Sequence, residues 1–422
     1  MILMILQTDG VISEQQVAQA LEKTLSEQKK PLKKVLLLPP DFTRMYSGAG
    51  MITRILYEML SVGAEVDIMP ALGTHVAMTR QEAHSFFGDS VPYEKLIVHN
   101  WRTDVEKIGE VPADFVASVS EGLVDTAIDV EVNRRLLDPT YDLIVSIGQV
   151  VPHEVVGMAN YSKNIFVGCG GASMINASHM LGAFYGLERI MGKDFSPVRR
   201  VFDYAQEHFL KDLPLLYVLT CTTNTGDVTN LHGLYLGNSR TLFEAAVAQS
   251  QARNMTHLEN PIEKCVVYLD PREFKSTWLG NKAIYRTRMA IKDGGQLIIL
   301  APGVERFGED GEVDRLIRRY GYVGREKILS LVKTEPELAQ NLSVAAHLIH
   351  GSSDSRFSVT YCTKLLSEDE VRGVGFSYLP YEAAAALYPP QTLRDGIQTV
   401  HGETIYYIGN PALGLWDAAH TN

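Results

Sequence analysis

The run DLIVSIGQVV at 142–151, followed at once by Pro152 and His153, constrains the fold more than any other stretch. It is continuously apolar and of strand length. Pro152 removes a backbone donor and ends the pairing, so His153 emerges just past the carboxyl end of that strand. Open α/β sheets bind their ligands along that edge. Small and apolar residues follow up to Gly168, Gly170 and Gly171, which would let backbone approach something bulky, and Asn176 or Ser178 then offers a cap for a helix beginning near His179. The segment reads as a loop that cradles a ligand, with His153, Lys163 and His179 as its chemical groups. Taken singly each is more often ordinary, since a lone histidine is usually satisfied structurally and a loop lysine usually points at water.

The same grammar appears earlier. SEQQVAQALEKTLSEQ has apolar positions at helical spacing, and KKVLLLPPD is a buried strand ending in a double proline. Asp41, Thr43 and Arg44 follow directly. MITRILYEMLSVG is a second amphipathic helix and AEVDIMPALGTH a second strand, ending at His75. This β-loop-α-β order belongs to a doubly wound sheet, with D-x-T-R and G-T-H at strand carboxyl ends. YEKLIVHNWR predicts another strand, ending at His99 with Arg102 beyond it, and VEVNRRLLDPTYD looks helical. Residues 183–250 read as mainly helical around a strand at LPLLYVLTCTTN, with a linker at THLEN. Alternation restarts at IEKCVVYLD and continues through GQLIILAPG, FSVTYCT and GVGFSYLP.

A chain of 422 residues exceeds one compact core. The expected architecture is α/β, with two domains bearing Rossmann-like, mostly parallel sheets and the active site in the cleft between them. The domains run 1–257 and 258–404, with the tail 405–422 returning to the first. A net charge of −11 argues against nucleic acid or an anionic membrane as partner. Cys169, Cys221, Cys265 and Cys362 are far apart and read as reduced thiols of a cytoplasmic protein. MILMIL is too short for a signal peptide, and no apolar run approaches the roughly 18 residues of a membrane span.

Taken together the motifs resemble the nickel-pincer lactate racemase family. That family carries D-x-T-R after its first sheet strand, A-L-G-T-H after the next, a Pro-His after a further strand, a glycine-rich loop ending in lysine, and a later histidine. Here these correspond to Asp41–Arg44, Ala71–His75, Pro152-His153, Ser162-Lys163 and His179. GMANYSK stands where the family loop has glycines. A family Q-x-x-K before a Gly-Gly matches Lys282 and Gly294, with Trp278-Leu279 in place of the glutamine. Lys282 is expected at a helix start, at the sheet-edge mouth, in a helix ending at Gly294-Gly295.

The resemblance implies a racemase or epimerase acting at C2 of a 2-hydroxy acid. It implies a nickel-pincer nucleotide attached through Lys163 and ligated by His179, built by cofactor maturation proteins. The α-hydrogen then leaves as hydride and returns on either face, with His75 and His153 as acid and base. Arg44 and Lys282 would hold the substrate, beside Trp278, Leu279, His99 and Arg102. Asp41, Thr43, Ser162 and Gly168 would help seat the cofactor, the first two at its phosphate. Imidazole and sulfur both suit nickel, and a desolvated lysine amine is a competent nucleophile. HNWR, the loop around Lys163 and SHMLGAFYGLERIMG look closer to sugar-acid members of the D-gluconate/D-mannonate 2-epimerase type than to the lactate enzyme. A racemase of lactate or another short hydroxy acid is the alternative. A nicotinamide-dependent hydroxy-acid dehydrogenase lacks its G-x-G-x-x-G, since GCGGAS ends in Ser173, and a non-catalytic sugar-acid module would leave three histidines idle.

Overall fold

A computed structural model describes residues 3–28, 30–226 and 228–419. The chain divides into two compact units, Met1–Tyr185 with Ile190–Asn254, and Gly186–Arg189 with Met255–Asn422. Each carries a six-stranded sheet, as the α/β reading requires.

In the first unit the sheet order is Leu3–Gln7, Val228–Gly237, Leu215–Thr225, Leu143–Gln149, Lys34–Leu38, Glu65–Ile68. The last four are mutually parallel, and the first two add antiparallel strands at one side. Leu143–Gln149 is buried at every position. Its side chains alternate between two apolar clusters, Ile144 on one face and Leu143, Val145 and Ile147 on the other. That is why the sequence shows a continuous apolar run rather than alternation.

Several local expectations give way to tertiary pairing. YEKLIVHNWR forms a short 3-10 turn at Tyr93–Lys95 and a single bridge from Leu96 to Ile68, not a strand. In the segment expected to be helical, Ile128–Asn133 is a strand paired with Val105–Val111, consistent with its V-E-V alternation. Leu3–Gln7, unassigned from sequence, and Val228–Gly237, in the stretch 183–250 expected to be mainly helical, are strands because each finds an antiparallel neighbour.

Gly168, Gly170 and Gly171 serve the chain's own packing. A Cβ on Gly170 would lie 1.8 Å from the Phe166 carbonyl oxygen, one on Gly171 2.2 Å from Glu131 Oε2, and one on Gly168 2.8 Å from Ala71 Cβ. The space attributed to a ligand is filled by protein. Gly170→Ala should lower stability by about 1–3 kcal/mol, because the obstructing atom is backbone. A urea midpoint unchanged from the parent would contradict this close approach.

In the second unit the order is Ser377–Tyr378, Ser358–Thr363, Ile291–Ala301, Ile262–Tyr268, Glu403–Ile408, Gly396–Val400, parallel except for the last pair. The 405–422 tail therefore does not return to the first domain over its described residues. Tyr406–Ile408 extends the second sheet beside Cys265–Val267, and Leu415–Ala418 pairs with Met255–Leu258, the segment expected to be a linker. Residues 420–422 lie outside the described residues. Gly294-Gly295 lies within the Ile291–Ala301 strand rather than at a helix end, because two one-turn helices, Thr277–Gly280 and Lys282–Tyr285, precede it.

Candidate active site

Asp41 ends the Lys34–Leu38 strand's exit loop and caps the 3-10 turn Phe42–Ser47. One carboxylate oxygen, Oδ1, accepts from the Thr43 N–H at 2.9 Å and from the Thr43 hydroxyl; Oδ2 meets His75 Nδ1 at 2.6 Å. The buried carboxylate is held well below its usual range: His75 and Arg44 beside it, with its hydrogen bonds, outweigh the opposing effect of burial, the largest single influence. Arg44 Nη1 donates to the Thr43 hydroxyl at 3.0 Å. Asp41 is thus committed to Thr43 and His75, and Thr43 to Asp41 and Arg44. The expected phosphate-seating role is at odds with an ionised carboxylate, which repels phosphate. In its neutral form, with Nδ1–H donated to Asp41, His75 presents Nε2 as its lone-pair nitrogen.

His75 is brought to this carboxylate by the turn after Glu65–Ile68, where the Gly73 N–H donates to the Gly168 carbonyl at 2.8 Å and Gly73 takes φ +57°. His153 is buried in a two-residue ladder, Pro152–His153 against Gly157–Met158, immediately beyond Leu143–Gln149. Its Nδ1 accepts from the Val155 N–H at 3.1 Å, which places the ring proton on Nε2. Glu154 approaches the same nitrogen at 3.6 Å.

Lys163 follows the loop and leads into a π-helical turn, Asn164–Gly168. Asn164 anchors that turn to the sheet, donating to Ser146 Oγ at 2.8 Å. The Lys163 amine has no hydrogen-bond acceptor among the described residues. Burial first, then the charge of Arg44, depresses its pKa to about 8, against the opposing pull of Glu154 and Asp41. His179 sits in mid-helix, not at a helix start: the helix runs Ala172–Tyr185, its beginning met by Glu131, whose carboxylate accepts from the Ser173 N–H at 3.1 Å. A capping group from a distant strand is invisible to a search for local caps. His179 Nδ1 donates to the Ile175 carbonyl at 2.6 Å, and burial lowers its pKa to about 4, so it is neutral at pH 7 with Nε2 as its lone pair.

Other candidates fall elsewhere. His99 is a buried structural histidine. Its Nε2 pairs with the Gly170 carbonyl at 3.1 Å and its Nδ1 with the Asn133 amide at 2.9 Å, so both nitrogens are used within the protein rather than facing a substrate. Arg102 is exposed, with its guanidinium 3.9 Å from the Trp101 ring centroid. Ser162 Oγ accepts from Arg199 at 2.8 Å. In the second unit Lys282 does start a helix, yet it is buried rather than at an open mouth, 3.5 Å from the buried Glu273. Trp278 stacks on His347 at 4.3 Å, and Leu279 is buried. Two residues escaped the sequence reading. Glu154 adjoins His153 in the chain and could have been noticed; Arg199, in the first turn of a helix, carried no local signal.

The residues fit the implied cofactor in kind. Among the described residues no three His, Cys, Asp or Glu side chains gather to hold a metal ion. A single neutral imidazole and a desolvated amine suit a metal whose remaining ligands arrive on an organic group. No helix among the described residues is long and apolar enough to cross a membrane.

Residues 8–189 match the family described as lactate racemase N-terminal domain. The lactate racemase of Thermoanaerobacterium thermosaccharolyticum is 24% identical over 305 residues, 68% of this chain and 64% of that protein. These matches support the lactate racemase superfamily. The alignment thus spans less than two thirds of the lactate racemase's own length. Two solved structures share the fold. A Thermotoga maritima protein superposes with TM-score 0.84 at 24% identity, covering 98% of this chain and 100% of that one. The lactate racemase apoprotein of T. thermosaccharolyticum gives TM-score 0.64 at 17% identity, covering 96% and 89%.

Proposed function

We propose that the chain is an isomerase of 2-hydroxy acids that inverts C2 by reversible removal of the α-hydrogen as hydride, with a nickel-pincer nucleotide held by Lys163 and His179. The observation that carries this reading is the grouping, at the carboxyl edge of one parallel sheet, of the Asp41–His75 pair, His153, a Lys163 amine lowered to about 8 and a neutral His179. The bound group supplies a reversible hydride acceptor. Lys163 would attach it, and His179 Nε2 would be the protein's ligand to its metal. His75 Nε2 takes the substrate hydroxyl proton, its Nδ1–H fixed by Asp41; His153 serves the opposite face, taking the proton on Nε2 once its own ring proton has moved to Nδ1, the nitrogen that Glu154 approaches at 3.6 Å. Arg44, cationic beside Asp41 and Lys163, binds the substrate carboxylate.

We assign a six-carbon aldonate, interconverted at C2 as D-gluconate and D-mannonate, as substrate. Gln149 supports a hydroxyl-bearing ligand: it ends the Leu143–Gln149 strand, and its buried Oε1 has no donor among the described residues. A site built to bond hydroxyls discriminates strongly against analogues lacking them. The holoprotein should therefore turn over gluconate in preference to lactate, malate or phenyllactate. Preference for lactate would favour the lactate racemase reading instead, and would leave the hydride chemistry standing. In deuterated water the product's α-hydrogen should stay unlabelled; extensive α-deuteration would indicate proton abstraction and remove the hydride mechanism.

A further inference from the structure

Just before Lys163 the backbone takes two successive left-handed steps, Asn160 at φ 67° and Tyr161 at φ 57°. Residues with a Cβ hold this conformation only where the surroundings over-determine it. The surroundings here are dominated by Arg199, fully buried on the helix Pro197–Phe209. Its Nη2 donates to the carbonyls of Met158 at 2.8 Å and Asn160 at 3.1 Å, and its Nη1 donates to Ser162 Oγ at 2.8 Å. The guanidinium lies 4.5 Å from the Phe243 ring centroid, and the Tyr161 ring stacks on the same phenylalanine. No carboxylate hydrogen-bonds to Arg199, and its Nε has no acceptor among the described residues. A buried cation with only neutral partners is a costly brace where uncharged donors would serve.

We infer that Arg199 is a positioning residue for Lys163, gripping the turn at residues 158, 160 and 162 so that the next side chain is presented as a nucleophilic amine. The inference rests on reading Lys163 as the attachment point. Charge acts in the same direction as geometry. Arg199 and Arg44 both disfavour the Lys163 ammonium, while Glu154 and Asp41 favour it and the neutral His179 leaves the balance unchanged. Around Arg199 itself, Asp203, Tyr161 and Tyr217 favour its charge, and burial and Arg240 oppose it.

The test uses the cofactor-free chain, acetylated briefly at pH 8 with an N-hydroxysuccinimide ester and digested for mass spectrometry. Labelling of Lys163 is read against the exposed Lys23 and Lys33 in the same digest. Arg199→Met should reduce the ratio about tenfold, and Arg199→Lys or Ser162→Ala about two- to threefold, because a single ammonium cannot bridge three acceptors as a guanidinium fork does. Should Arg199→Met fail to fold, Arg199→Lys and Ser162→Ala decide. Ratios within the parent's error in folded variants would overturn the inference, as would a parent Lys163 that labels more slowly than Lys23 and Lys33. Failure of the parent to acquire the nickel-containing adduct would instead count against the proposed function, without altering this ratio.

Discussion

Lys163→Ala, produced together with cofactor-maturation proteins, should show the bare mass of the chain where the parent shows a covalent adduct. The amine is the group proposed for that bond: half-buried, without a hydrogen-bond acceptor among the described residues, and lowered to about 8. His179→Ala should behave differently, keeping the adduct while losing nickel on dialysis, because in the proposed site the imidazole binds the metal and not the organic group. Loss of affinity by about ten- to a hundredfold or more is the expected scale for damage to a metal site. The separation between the variants is the informative result. If both retain adduct and nickel as the parent does, neither residue has its proposed role. If Lys163→Arg retains an adduct, the bond is made elsewhere.

His75→Ala, His153→Ala and Asp41→Asn should each lower kcat by about a hundred- to ten-thousandfold, the usual worth of a positioned acid or base. KM should change little, since proton transfer is felt in the transition state. Asp41→Asn is the sharpest of the three. It keeps the side chain's shape but replaces the acceptor of the His75 Nδ1–H, now 2.6 Å away, with an amide that can donate to that nitrogen and move the ring proton to Nε2. The base would then present a proton where it should present a lone pair. Full activity in Asp41→Asn would assign the carboxylate to local capping of Thr43 instead. If each histidine variant fails to epimerise yet still oxidises one epimer, and not the other, to the 2-keto acid, the two bases serve separate faces, as proposed.

Both experiments concern residues whose order along the chain was informative long before their contacts were. D-x-T-R and G-T-H each follow an apolar strand, and His153 lies buried just beyond the end of Leu143–Gln149. Strand ends of a parallel sheet lie on one edge, so chain order alone places these groups near each other. The same reasoning failed at His99, which also follows an apolar run. Its partners, Gly170 and Asn133, are remote in sequence, and they convert a candidate ligand into a structural histidine. Glycines 168, 170 and 171 misled for a related reason: absence of a side chain signals close approach, but not what approaches.

Periodicity, proline positions and strand-ending motifs determined by themselves the α/β class, the parallel core of each sheet and the edge bearing Asp41, His75 and His153. These are local consequences of hydrophobic spacing and backbone donors, and they survive any detail of packing. Tertiary structure alone decided which strands joined the sheets, the placement of the tail in the second unit and the burial of Lys282 against Glu273. It also decided the orientation of His75 by Asp41 and the grip of Arg199 on the turn before Lys163. Each of these depends on a partner far away in the chain, and a hydrogen bond or a desolvated charge takes its meaning from that partner rather than from its own neighbours in sequence.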